Sequence, residues 1–187
     1  MNGSVISNMN KLWVCLFCFA FLVSCNDDEE AKKIVQKPSF ATETGEGITL
    51  TYTDSGQVKA KLKSPLMQHF SMSAKPYTLM PKGVEGTFYD ANKNAASFAY
   101  ADIGIYYEKE KYLVMKQNVR LINVKGDTLS TEYLVWDEVK EKIYTDKFVK
   151  ITTPDQLIYG DGLVSNQNFT EYRITNVKGN INLKKNP

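Results

Sequence analysis

The sequence predicts an all-β domain, and three observations carry that expectation. After about residue 45, apolar residues alternate with polar ones in run after run, the period of a strand with one buried face. Tyr and Phe number 11 and 9, and aromatic side chains favour the pleated surface of a sheet. The pattern also recurs: Tyr106 and Trp136, Leu113 and Ile143, Val119 and Val149, and Leu121 and Ile151 each stand thirty residues apart. A weaker third unit sets Ile158 and Tyr172 in the places of Leu129 and Ile143. A fixed period of this size suggests one strand-rich unit stacked on its copies, each burying its apolar stripe against its neighbours.

Element by element, Ile48-Thr49-Leu50-Thr51-Tyr52 alternates, Asp54-Ser55-Gly56 turns the chain, and residues 57–63 alternate back as the second arm of a hairpin. Ser64-Pro65 is expected to end that arm. Residues 77–83 lead into a second region, and Phe88-Tyr89 precedes an Asn-rich turn at residues 90–94. Further strands are expected at residues 97–107, 112–115 and 119–124, then, beyond the turn Lys125-Gly126-Asp127, at 129–136, 142–146, 148–151, 157–160 and 172–177. No segment carries a helical period; residues 138–142 are charged and short.

The N-terminus has a different character. Residues 12–23, LWVCLFCFAFLV, form an uncharged apolar run between Lys11 and Ser24-Cys25. Crossing a bilayer takes about 20 apolar residues; this run is shorter and has the length of a signal-peptide core. Leu22-Val23-Ser24-Cys25 fits a lipobox, in which the Cys thiol takes a diacylglycerol and becomes the new N-terminus. Residues 1–24 are therefore expected to be a lipoprotein signal peptide, with Met9 offering a more compact leader than Met1, and Cys25 is expected to be the lipid anchor. Residues 25–45 open on Asn26-Asp27-Asp28-Glu29-Glu30 and read as a polar tether, which leaves residues 46–187 as the domain.

Composition excludes several functions. Cys15, Cys18 and Cys25 all lie in or beside the leader, so the domain has no internal disulfide, no thiol nucleophile and no Cys-ligated metal. Lys and Arg number 23 against 21 Asp and Glu, without the clustered basic face that nucleic acid demands. No phosphate-binding Gly-rich loop and no metal-ligand spacing appears, and no cofactor is implied. The one histidine, His69, has no second His or Cys to work with and reads as a surface or packing residue. Asp102, Asp127, Asp137 and Asp146 stand near strand ends, where turn hydrogen bonds account for them. No carboxylate pair can be nominated for a glycan-active hydrolase.

One series of residues carries a family pattern: Tyr77-x-x-Met80-Pro81-Lys82-Gly83-Val84, Asp102-x-Gly104-x-Tyr106-Tyr107, Asn118-Val119, Gly126-Asp127-x-Leu129-x-Thr131-Glu132-x-Leu134-x-Trp136-Asp137, Lys142-Ile143-Tyr144-Thr145-Asp146-x-x-Val149-x-Ile151 and Ile158-Tyr159-Gly160-Asp161-Gly162. Across residues 45–183 the chain resembles the LptC family of lipopolysaccharide export, in the lipoprotein form of Bacteroidetes-type bacteria, and its central stretch is shared with related LptA and OstA-type repeats. The resemblance implies a twisted, partly open β-jellyroll with an apolar groove. It also implies a domain at the periplasmic face of the inner membrane that receives lipopolysaccharide or lipooligosaccharide from an ABC transporter and passes it to an LptA-like protein by strand-edge contact. The chain departs from the better-known form in its anchor, a lipid on Cys25 in place of a transmembrane helix.

Candidate groove residues are Val119, Leu121, Leu134, Trp136, Ile143, Val149 and Ile151, although alternate apolar residues mark an ordinary core equally well. Gly160, a glycine within a strand, suggests a bulge at the partner edge, or else a turn in the cluster Gly160-Asp161-Gly162. A competing reading is a structural or surface-exposed lipoprotein, at the outer membrane or cell surface, because Asp27-Asp28-Glu29-Glu30 resembles an acidic surface-export signal.

Overall fold

The computed structural model describes residues 40–182. The expected signal peptide, Cys25 and most of the expected tether lie outside the described residues. All regular structure among those described is strand: β1 (Glu43–Asp54), β2 (Gln57–Phe70), β3 (Tyr77–Met80), β4 (Val84–Tyr89), β5 (Ala95–Ala101), β6 (Ile103–Tyr107), β7 (Tyr112–Asn123), β8 (Thr128–Asp137), β9 (Lys142–Thr152), β10 (Gln156–Asn166) and β11 (Tyr172–Asn182). Strand β1 starts before residue 46, because Glu43 already pairs with His69.

All strands join one antiparallel sheet, and its order simplifies once the register is followed. Met80 pairs with Gly104 and Val84 with Ala101, so β3 runs into β4 and β5 into β6 as one long bent hairpin. Strand β2 pairs with β4 through Ala60–Lys63 and with β3 through Gln68–Phe70, and β7 follows β6 and then β5 in the same way. The sheet is thus a meander in sequence order, with β1 and β11 at its edges.

A line of irregularities crosses this meander. It passes through Pro65 on β2, Gly83 at φ 100°, the single residue Asp102, and Gln117 and Asn118 at φ 64° and 50°. It continues as register shifts between Ser130 and Val135 and between Asp161 and Leu163. Each long strand bends there. The loosened backbone is held by side chains: Ser64 Oγ donates to the carbonyls of Gly83 and Leu66 at 2.7 and 2.8 Å, Asn118 donates to Asp102, and Thr131 Oγ1 donates to the Phe148 carbonyl at 2.8 Å. This crease is why Pro65 does not end β2 as expected: it falls where β2 changes partners, so its missing N–H breaks no ladder.

Curling along the crease brings distant strands over one interior. Trp136 of β8 meets Phe88 of β4 edge-on at 5.0 Å and Tyr52 of β1 at 5.7 Å. The turn between β10 and β11 covers one end. There Ser97 Oγ donates to the Gln167 carbonyl at 2.6 Å, Trp136 Nε1 to Gln167 Oε1 at 3.3 Å, and Asn123 Nδ2 to the carbonyl of fully buried Phe169 at 2.9 Å. The thirty-residue recurrence is therefore a recurrence of hairpins. Tyr106 pairs with Leu113 across β6 and β7, and Trp136 with Ile143 across β8 and β9. The units do not bury their stripes only against sequence neighbours, as a solenoid would; the sheet folds over and buries them against β1, β2 and β4.

The two faces differ from the usual alternation. An antiparallel sheet with one solvated face normally turns polar residues outward. On one side of the crease, however, the outward row reads Leu79, Ile105, Val114, Val135, Tyr144, Val164, each paired across to the next. A second outward row runs beside it: Phe70 stacks on Tyr77 at 4.7 Å, and Tyr107 stacks on Tyr112 at 4.7 Å. Across the crease the corresponding row is Lys63, Glu85, Tyr100, Arg120, Ser130 and Lys150.

Candidate functional site: an apolar interior with two unbonded edges

Val119, Leu121, Leu134, Trp136, Ile143, Val149 and Ile151 come together in the core cluster, each at most 1% exposed. They are contributed by β7, β8 and β9, strands bonded on both sides, and their position follows from parity: Leu121 pairs with Leu129 and Leu129 with Ile151, all facing inward. In this structure they form a closed core, and solvent does not reach them as it would reach the wall of an open groove.

The same interior extends to both edges of the sheet. Ile48, Leu50 and Tyr52 of β1, Ile158 of β10, and Tyr172 and Ile174 of β11 pack against the core cluster but are only partly buried. Among the described residues, strand β1 is bonded to β2 alone and β11 to β10 alone. Val177, paired with inward-facing Gly160, is 59% exposed at that edge.

Gly160 itself is not on the edge. It lies one strand in, on β10, paired with Val149 of β9 on one side and Val177 of β11 on the other, beside a register shift between Tyr159 and Gly160. A Cβ there would stand 2.4 Å from the Asn176 carbonyl oxygen and 2.5 Å from Ile174 Cγ2. It is a bulge glycine that admits close backbone approach and shapes the edge strand without forming the edge.

Sequence reasoning missed a cleft of about 880 Å³ along the crease, lined in part by Lys82, Arg120, Lys147 and Lys150 with Glu85 and Glu132. Of the seven interior candidates only Val119 reaches it, and Phe148 on its wall is 53% exposed. The sequence signals for it were Pro81-Lys82-Gly83 and the polar break Lys116-Gln117-Asn118 inside an apolar strand.

The titratable groups serve as fasteners. His69 Nδ1 lies 3.1 Å from Thr78 Oγ1 and 3.3 Å from Glu108 Oε1, while Thr78 donates to the same carboxylate at 3.1 Å. A nucleophile–base–acid relay needs hydroxyl and carboxylate on opposite ring nitrogens; here both crowd one nitrogen. Tyr106 donates to Glu138 Oε2 at 2.7 Å, and its own pKa is driven up by burial and by that bond. Burial likewise raises Tyr52, with the charges of Glu138 and Glu108 adding to it. Asp137 caps a turn, accepting from the Lys140 backbone at 2.9 Å and its ammonium at 2.7 Å. Among the described residues, no three His, Cys, Asp or Glu side chains gather to hold a metal ion.

Fold and interior together define an edge-open antiparallel β-jellyroll packed around apolar side chains. The family model described as lipopolysaccharide-assembly, LptC-related, matches residues 12–182, and the chain belongs to that family. Its role accordingly lies in lipopolysaccharide transport, in a family of periplasmic-facing inner-membrane components. No curated protein matches the chain.

Proposed function

We propose that this protein is a non-enzymatic transfer component. It would receive lipopolysaccharide from the inner-membrane ABC transporter and pass it to an LptA-like periplasmic protein, while a lipid on Cys25 holds it at the membrane. The observation that carries this reading is the unclosed sheet. One apolar interior underlies two edges that, among the described residues, are each bonded on one side only. Acyl chains cannot be left in water during transfer. The partly buried margin along these edges, with no further ladder of backbone hydrogen bonds among the described residues, would be a seam that opens at modest cost. Val119, Leu121, Leu134, Trp136, Ile143, Val149 and Ile151 would then be the floor exposed by opening, and the free edge of β11, shaped by Gly160, the site of strand addition to the LptA-like partner.

The test is photocrosslinking in living cells. A benzophenone side chain at Ile174, on the inward face of the edge, should give adducts that stain for lipopolysaccharide. The same probe at Lys150, outward and in the crease cleft, should give none. Adducts from Lys150 with none from Ile174 would put the lipid on the outside of the sheet and sink the proposal.

A further inference from the structure

We propose that the crease cleft is a binding site for a phosphoethanolamine group, the zwitterionic headgroup chemistry of a membrane phospholipid. Its volume, about 880 Å³, suits a small-molecule pocket. Its polar residues have an order set by register. Arg120 of β7 pairs with Ser130 of β8, and Ser130 with Lys150 of β9, so two cations flank one hydroxyl in a row across three strands. Cross-strand partners stand about 5 Å apart, close enough for all three to converge on the oxygens of a single phosphate. Arg120 is steadied by an aromatic ring and not by a carboxylate: its guanidinium lies over Tyr100, 5.4 Å from the ring centre. That stacking leaves the in-plane N–H fork free for bidentate contact with an oxyanion.

The second charge comes from Glu132. It follows Ser130 by two residues on β8 and lines the same cleft. Two residues of strand advance about 7 Å, a separation that the two-carbon link of ethanolamine and the reach of a glutamate side chain bridge. Among the described residues, Arg120, Lys150 and Glu132 make no ion pair. Of the other cleft charges, Asp102 accepts from Asn118, Lys147 pairs with Asp146, and Glu85 stands across from Lys63. Lys82 lies away from this row, in the turn between β3 and β4. A ligand carrying only negative charge would set itself against Glu132. One with an ammonium beside its phosphate meets each free charge with its opposite.

Phe148 points to a lipid as the source of the group. It stands two residues from Lys150 on β9, forms part of the cleft wall and is 53% exposed. A free headgroup has nothing apolar to lay on it, whereas the first methylenes of a phospholipid gain by covering it. Bound in this way with its chains left in the bilayer, the lipid would hold the crease against the membrane surface.

The experiment uses the full-length chain, purified in a non-ionic detergent and titrated calorimetrically with O-phosphoethanolamine, inorganic phosphate and dihexanoyl phosphatidylethanolamine. Arg120 and Glu132 are both exposed, so Arg120→Gln and Glu132→Gln should not shift the melt. Arg120→Gln should weaken all three ligands about tenfold, and Lys150→Gln repeats that arm at a second position. Glu132→Gln should weaken the two ligands that carry an ammonium about tenfold, yet tighten inorganic phosphate, because a repelling carboxylate is gone. That opposite sign belongs to a zwitterion site; a merely basic patch would hold every anion better after Glu132→Gln. Phe148→Ser should weaken dihexanoyl phosphatidylethanolamine alone. O-phosphoethanolamine bound no more tightly than phosphate, or bound better by Glu132→Gln, overturns the site. Equal affinity for the lipid and for O-phosphoethanolamine, or a Phe148→Ser variant without effect, overturns the lipid source and supports the headgroup chemistry alone.

Discussion

Central strands and edge strands of this sheet carry the same alternating sequence pattern but differ in what that pattern secures. On β7, β8 and β9 the inward residues Leu113, Leu134, Trp136, Ile143 and Val149 are completely buried, and each strand is bonded on both sides. On β1 and β11 the inward residues Ile48, Leu50 and Ile174 are only partly buried, and each strand has one partner among the described residues. Local stability follows buried apolar contact and two-sided hydrogen bonding. The centre is therefore a wall and the edges are its movable margins, a division suited to a family whose role lies in lipopolysaccharide transport.

The strongest test of the wall is Val149→Asp. Val149 is 0% exposed, pairs with Gly160 and belongs to the apolar core cluster. An ionised carboxylate unpaired in an apolar interior is strongly disfavoured, and a loss of several kcal/mol takes most of the ~5–15 kcal/mol of a typical domain. Thermal melting should show collapse of the folded state. A near-native melt would mean that the wall opens and hydrates in solution, and the distinction between centre and edge would fail.

Gly160→Ala probes the join between the two regions. Its new Cβ would clash with the Asn176 carbonyl, so β10 and β11 must move apart locally. Overpacking of this kind costs roughly 1–3 kcal/mol. Hydrogen exchange should speed up in β11 well before β8; uniform acceleration would show that β11 is as integral as the centre. Removing residues 170–187 outright is blunter, since it also strips Tyr172 and Ile174 from the core.

Much of this division was legible in the sequence, and what was not has a physical cause. Period-two alternation located nearly every strand, and the recurrence of Tyr106–Leu113 as Trp136–Ile143 anticipated two hairpins of the same build, with Lys111 and Glu141 both at left-handed φ in their turns. Strand breaks were misread. Residues 112–123 and 142–152 are each one strand, because a bulge interrupts alternation without ending pairing. Pro65 instead sits where β2 passes from β4 to β3, so it interrupts the ladder without ending the strand. The second apolar face left a signal that went unused: Leu113-Val114-Met115 and Leu134-Val135-Trp136 are apolar at successive positions, so both faces must be apolar there. Whether a strand lies at an edge is set by non-local pairing, which local alternation does not carry; Gly160, expected at the partner edge, lies on β10 between β9 and β11.

A smaller effect on folding is expected from Val177→Asp. Val177 faces the interior side of the β11 edge at 59% exposure, so the carboxylate stays hydrated and stability should change by no more than about 0.5 kcal/mol. Binding of lipopolysaccharide by the purified protein should nevertheless weaken, since the charge stands at the proposed seam. Unchanged binding alongside an unchanged melt would move the lipid entrance away from β11.

The smallest effect, none at neutral pH, concerns what fastens the other edge. Tyr52 of β1 packs on Tyr106 with ring centroids 4.8 Å apart, and Tyr106 donates to Glu138. Burial and the neighbouring Glu138 and Glu108 charges raise the pKa of both hydroxyls above the ordinary tyrosine value. In the unfolded chain they ionise near pH ~10. Below that, both states keep the proton and these groups give stability no slope with pH. Above it the unfolded chain holds fewer protons than the folded one, so stability falls as pH rises. Melting temperature should therefore be level through neutral pH and drop from about pH 10 upward. Tyr52→Phe removes one of the two groups while keeping the ring on Trp136, so its melting curve should match at neutral pH to within about 1 kcal/mol and fall less steeply in alkali. If the variant falls as steeply as the parent, the Tyr52 hydroxyl already reaches water. Strand β1 would then be lifted from the centre in solution, and that edge would be open before any lipid arrives.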